Sequence, residues 1–132
     1  MLTLSKAIWT KYNASTTFKA AINAFYYGKA VQEASLPYGV YTFGGTINEN
    51  TFREKIDEVA VQMNIYTKSD TTATECFTAY ELCRDLYENA VLTVSDSYDV
   101  TLTKIMEVPP MEISDGTKWM AVLEFSLMLQ KK

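Results

Sequence analysis

Histidine is absent from this 132-residue chain, and cysteine occurs only twice. The missing imidazole removes the commonest general base, the usual metal ligand and the triads that depend on it. Two cysteines without histidine cannot supply the four ligands of a zinc site. Cys76 and Cys83 stand seven positions apart on one predicted helix, so ~10 Å separates them along its axis. A disulfide spans only ~4.4–6.8 Å between Cα atoms, and the pair reads as two buried, reduced thiols. Glycine and proline are also scarce, at five and three. The pair Gly44-Gly45 is followed by neither a lysine nor a helix, so it is no phosphate loop.

Other absences concern charge and apolar runs. No basic cluster exceeds the terminal Lys131-Lys132 pair, and the net charge is −4. Sequence recognition of nucleic acid is therefore not expected. No apolar run approaches the ~18 residues of a membrane-spanning helix, and no membrane partner is expected. Met1–Lys6 lacks the charged-then-apolar order of a signal peptide. Without one, Asn13-Ala14-Ser15 is a chance match to a glycosylation sequon.

The chain does hold an ordinary globular composition, 48% hydrophobic and 21% charged. Its length points to a single domain over 1–132, long enough to bury a core without staples. The clearest stretch is one continuous run. Val59, Val61, Met63 and Ile65 alternate with polar or small residues up to Tyr66, which is a strand buried on one face. Thr67-Lys68-Ser69-Asp70 follows, and Ser69 or Asp70 can cap a helix over about 71–89. The expected helix stripe is Ala73, Cys76, Phe77, Tyr80, Cys83, Leu86, Tyr87 and Ala90, at offsets of three, four and seven.

The remaining elements read as follows. Leu2 to about Tyr12 is a short helix with Leu4, Ala7 and Ile8 on one side and Trp9 flanking. Asn13–Thr16 breaks it, and Ser15 or Thr16 caps a second short helix facing Phe18, Ala21, Ile22 and Phe25 inward. Tyr26–Val31 is an edge strand. A strand opens at Pro37, with Tyr38, Val40 and Thr42 on one face and Gly39, Tyr41 and Phe43 on the other. Residues 46–55 are polar and aperiodic, a long arm between two strands that should pair. Val91–Ser97 is expected to lead out of the helix. Tyr98, Val100, Leu102, Lys104, Met106 and Val108 are expected to share one strand face, and Pro109–Gly116 to form a turn-rich connector. The last strand alternates Trp119, Ala121, Leu123, Phe125, Leu127 and Leu129 with Lys118, Met120, Val122, Glu124, Ser126 and Met128. Apolar residues on both faces make it central in the sheet or covered by another subunit. The fold class is α+β: a mostly antiparallel or mixed sheet of about four to five strands, with N-terminal helices and one long helix on one face.

Chemistry is sparse in this pattern. Asp96-Ser97-Tyr98-Asp99 lacks the ligand count and glycine of a calcium loop, so no metal site is expected. Glu49, Glu54, Asp57 and Glu58 interleave with Arg53 and Lys55 as a mixed-sign surface. The nine tyrosines suit core and interface packing. No catalytic residue, cofactor or metal ligand is predicted.

The arrangement as a whole resembles the tail-completion, or tail-terminator, proteins of long-tailed bacteriophages and prophages. The likeness is carried by an N-terminal helix and the strand Pro37-Tyr38-Gly39-Val40-Tyr41. A polar excursion, the alternating strand Val59–Tyr66 with Thr67-Lys68-Ser69, the helix over Thr71–Asn89 and two closing strands complete it. It covers almost the whole chain through hydrophobic patterns. The proline-rich 108–116 segment and the split N-terminal helix depart from it. The resemblance implies a non-enzymatic assembly protein that forms a homohexameric ring. The ring would cap the tail tube and join it to head connector proteins, within the virion and, during assembly, the bacterial cytoplasm. Ring and tube contacts are then expected from the arm, at Ile47, Asn48, Glu49, Phe52, Arg53 and Lys55. Further contacts are expected from the second face of the last strand, at Met120, Val122 and Met128. Other readings are a head-completion or minor capsid protein, a small-ligand-binding α+β module with a defined cavity, and an enzyme using two converging carboxylates.

Overall fold

The computed structural model describes residues 2–28, 36–45, 59–68, 73–93, 98–112 and 118–131. Three helices and six strands lie within these residues. In chain order they are α1 (Leu2–Ala14), α2 (Thr16–Ala21), β1 (Phe25–Tyr27), β2 (Tyr38–Gly45), β3 (Val59–Lys68), α3 (Ala73–Tyr87), β4 (Val91–Thr93), β5 (Tyr98–Glu112) and β6 (Lys118–Lys131). Helix α1 stops at Ser15, whose hydroxyl accepts the Phe18 amide at 3.2 Å and caps α2.

The strands form one sheet in the order β1-β2-β3-β6-β5-β4. The expected strand count was therefore low, and the sheet is mixed because β1 runs parallel to β2. Every other pairing is antiparallel. Strand β6 is bonded on both sides, to β3 and β5, and so is central in the sheet.

Register turns strand patterns into rows across the sheet. Gly39–Ile65–Ala121 and Tyr41–Met63–Leu123 are rows on the helix-covered face. The opposite, outer face carries the row Tyr38–Tyr66–Met120–Met111 and, beside it, Val40–Asn64–Val122–Val108. The next row outward, Thr42–Gln62–Glu124–Met106, is polar except at Met106.

The core lies between the sheet and the helices. Leu4 and Ile8 of α1, Phe18 of α2, and Cys76, Ala79, Cys83 and Tyr87 of α3 are all fully buried against Val61, Met63, Leu123 and Phe125. An aromatic cluster fills the end beneath α1 and α2. Tyr12, Phe18, Phe25, Tyr41 and Tyr87 stack there with ring centroids 4.7–6.5 Å apart. Its hydroxyls are tied down: Tyr87 donates to the Ile8 carbonyl at 2.7 Å and Tyr41 to the Ser5 carbonyl at 3.0 Å. These two bonds fasten α1 to α3 and to the sheet.

Several expectations need correction. Residues 91–93, expected to be a lead-out, form β4; three residues are too few for a period to show. Phe25 opens β1 rather than closing a helix face, though it is buried as expected. On α3, Phe77 is 42% exposed and Ala79 takes the buried place, because 76, 79, 80, 83 and 87 make a narrower stripe. The Pro109-Pro110 pair lies inside β5, not in a connector. Register shifts between Val108 and Met111 at this pair, a bulge that accommodates residues unable to donate to the ladder. A second shift between Lys104 and Met106 leaves Ile105 as the extra residue. It turns Met106 and Val108 away from the face of Val100 and Leu102 and onto the outer face.

Candidate functional site

Among the described residues, the groups set apart by burial or a displaced pKa are few. Both thiols are fully buried and free, and burial pushes each above its ordinary pKa. Cys83 Sγ rests 3.7 Å from Met63 Sδ. A desolvated thiol with no cation beside it is a poor nucleophile. Between α3 and β5 runs a polar seam. The Tyr80 hydroxyl donates to Glu107, Lys104 lies 3.4 Å from Glu107 and 3.8 Å from Glu88, and the Arg84 guanidinium sits 5.7 Å from the Tyr80 ring centre. Burial and the Glu107 carboxylate push the Tyr80 phenol up to about 12. The same bond, then Lys104, holds Glu107 below the usual carboxylate range. Tyr80 thus stays protonated and Glu107 ionised around neutrality. A pair locked this way latches helix to strand and is not poised to exchange a proton. No group of three or more potential metal ligands converges among the described residues.

The outer face of the sheet is the more distinctive surface. Tyr66 lies between Tyr38, at 5.3 Å between ring centres, and Met120 across the ladder. Tyr26 of β1 packs edge-on to Tyr38 at 6.0 Å. Lys118 spans Tyr38 and Tyr66, 5.8 and 5.7 Å from their centres, and donates to the Tyr38 hydroxyl at 3.4 Å. Four methionines, Met106, Met111, Met120 and Met128, are on this same side of β5 and β6. Unbranched, polarisable side chains of this kind suit a surface that adapts to a partner.

The predicted contact residues divide unevenly over this face. Met120 and Val122 fall in adjacent rows, but Val122 is only 6% exposed, and Val40 in its row and Tyr38 in the next are buried with it. Met128 is 60% exposed and lies ~20 Å further along β6, opposite Thr101. Ile47, Asn48, Glu49, Phe52, Arg53 and Lys55 lie outside the described residues. Sequence reading missed Tyr66, Lys118, Val108 and Met111 as members of the same surface. Alternation placed Lys118 with Met120, but only cross-strand register brings Tyr38, Tyr66 and Met111 beside them.

One groove opens on the other side of the molecule, between α1 and β4, with a volume of about 410 Å3. It is a shallow channel along the surface and not the enclosed cavity that a small-ligand module predicts. No helix among the described residues is long and apolar enough to cross a membrane.

The class these features define is an α+β domain whose mixed six-stranded sheet is covered by helices on one face. No family model matches the chain, and no curated protein matches it in sequence. Solved structures do share the fold over nearly its whole length. One is a chain described as the virion of a native gene transfer agent (GTA) particle, with a TM-score of 0.67 at 14% identity. That alignment covers 98% of this chain and 95% of the other. A second, named only by a sequence identifier, has a TM-score of 0.61 at 17% identity and covers 97% of this chain and 94% of its own.

Proposed function

We propose that this chain is a non-enzymatic structural protein of a phage-like virion, working by assembly at the end of a tail tube. The observation that carries the reading is the end-to-end fold likeness to a chain of the gene transfer agent virion. Coverage of 98% and 95% means the whole domain is shared, not a common submotif. In the narrower form of the proposal the chain is a tail-completion subunit. Six copies form a ring that caps the tube and meets the head connector. A head-completion role is the nearest variant and uses the same surfaces.

The outer sheet face supports this reading. On the side away from the helices, Tyr38, Val40 and Val122 of its rows are already buried, and the exposed apolar groups are the methionines Met106, Met111 and Met128. A cyclic ring needs two different patches that meet head to tail. The outer face is one, and the arm with Ile47, Asn48, Glu49, Phe52, Arg53 and Lys55 is proposed as the other. Two experiments test this. Negative-stain microscopy with purified tail tubes should show rings at tube ends; no association at any concentration sinks the proposal. Deleting residues 46–55 should leave a folded protein that forms no rings, and an unchanged ring mass by light scattering refutes the arm's role.

A further inference from the structure

We infer that the groove between α1 and β4 is a docking site for an acidic, extended segment of another polypeptide, taken up as an added strand. Three consecutive residues of β4, Val91, Leu92 and Thr93, line the groove. Side chains of successive strand residues point to opposite faces, so three in a row meet one channel only where it runs along the strand's edge. β4 is the terminal strand of the sheet, so this edge has no neighbouring strand among the described residues. The ladder fixes which groups it offers. The Ala90 carbonyl accepts from Leu102, and Leu92 stands opposite Val100, so alternation turns the amides and carbonyls of Val91 and Thr93 outward. Those are the donors and acceptors an added strand takes up.

The opposite wall supplies charge and room. It is one stripe of α1 whose polar members are Lys6, Thr10 and Lys11. Ala7 and Ala14 line it too, and their small side chains leave space for a backbone. The stripe runs over eight residue steps, ~12 Å along the helix, which matches three to four residues of extended chain. Two lysines and no carboxylate line this groove in a chain of net charge −4. A local field opposite in sign to the whole molecule selects an acidic occupant and rejects a basic one. Val91, 54% exposed at the rim, offers an apolar contact to one side chain of the incoming strand.

The inference is independent of the tail-end reading and is tested on the full chain. The probe is a short fluorescein-labelled peptide of alternating valine and glutamate, with a valine–lysine peptide as its control, followed by polarisation. The acidic peptide should bind, the basic one should not, and binding should weaken with added salt. Amide exchange of Val91 and Thr93 should slow in the complex. The double variant Lys6→Glu/Lys11→Glu should lose about tenfold or more in affinity for the acidic peptide and gain the basic one. A gain cannot come from misfolding. Thr93→Pro, which deletes an outward donor and spares the β4–β5 ladder, should weaken binding with its thermal melt unchanged. Equal binding of both peptides, or protection at an edge other than β4, overturns the site. Doubled mass with Val91 and Thr93 protected and no peptide bound overturns the acidic partner in favour of a second copy.

Discussion

Gly39 is the position where one methyl group reports on the whole aromatic corner. Its register partner on β1 is Phe25. A Cβ at 39 would stand 2.7 Å from Phe25 Cδ1, 2.9 Å from Cε1 and 3.2 Å from Ile65 Cδ1. Phe25 cannot swing aside, because Tyr41, Tyr12 and Phe18 hold its ring at 4.7, 5.5 and 5.8 Å. Gly39 lies within a strand, outside the left-handed region, so alanine suits its backbone. Gly39→Ala should then gain ~0.4–1 kcal/mol from a less flexible unfolded chain. Overpacking a tight core costs ~1–3 kcal/mol. The clash wins, and a net loss of ~1–2 kcal/mol is expected, which is ~3–5 °C of Tm per kcal/mol for a domain of this length. Urea unfolding followed by far-UV circular dichroism reads the loss as a lower midpoint at unchanged slope. The stronger assay is the double-mutant cycle with Phe25→Leu. That change alone leaves a cavity and destabilises the domain, but it removes the ring the methyl would strike. The pair should be more stable than the sum of the two by ~1 kcal/mol. A Gly39→Ala protein as stable as the parent, or strict additivity with Phe25→Leu, would refute the packing of β1 across Gly39.

Tyr87→Phe removes the hydroxyl that reaches the Ile8 carbonyl at 2.7 Å without opening a cavity, so it should cost ~1–2 kcal/mol in the same assay and loosen α1 selectively in amide exchange. Tyr80→Phe tests the seam through pH. Glu107 is held below its unfolded value, so its share of stability is present above pH ~4.3 and lost as pH falls through the lower folded value. Tyr80 is raised from 10.0 to about 12, so its share is present below pH 10 and lost as pH rises towards 12. The stability gap between parent and Tyr80→Phe, measured by urea titration at several pH values, should therefore be widest between and narrow at both ends. Asn89, two residues past the end of α3, has φ 62°, so Asn89→Val should cost ~1–2 kcal/mol while Asn89→Gly is neutral or better in thermal melts. Neither Cys76 nor Cys83 should react with an aromatic disulfide reagent in native buffer at the rate both show in urea, since each is buried with a raised pKa.

What the sequence made legible follows from range. The long periodic elements could be read because their signal is local. Val61, Met63 and Ile65 are buried at period two, and Cys76, Tyr80, Cys83 and Tyr87 at helical spacing. The two faces of β2 and the capping role of Ser15 were likewise visible in a few neighbouring residues. β4 was not, since three residues show no period, and its membership depends on Thr101, Val100 and Asp99 opposite it. The bulges of β5 were hidden for another reason. Alternation continues through Val100, Leu102, Lys104, Met106 and Val108 in the sequence, but one extra residue at Ile105 breaks it in space.

That single residue bears on the candidate surface as well as on the fold. Without the shift, Met106 and Val108 would stay on the helix-covered face beside Leu102, and Glu107 would face away from Tyr80. With it, Val108 joins Val122 on the outer face, and Glu107 comes under α3 to accept the Tyr80 hydroxyl. The second shift, at Pro109-Pro110, then keeps Met111 beside Met120. The outer apolar rows and the helix-to-strand latch are thus two consequences of the same irregularities in β5. Met120 and Val122 could be named from the alternation of β6 alone, but their neighbours could not. A strand's pattern says which residues share a face, whereas the extent of a surface is set by non-local pairing, and here by where that pairing slips.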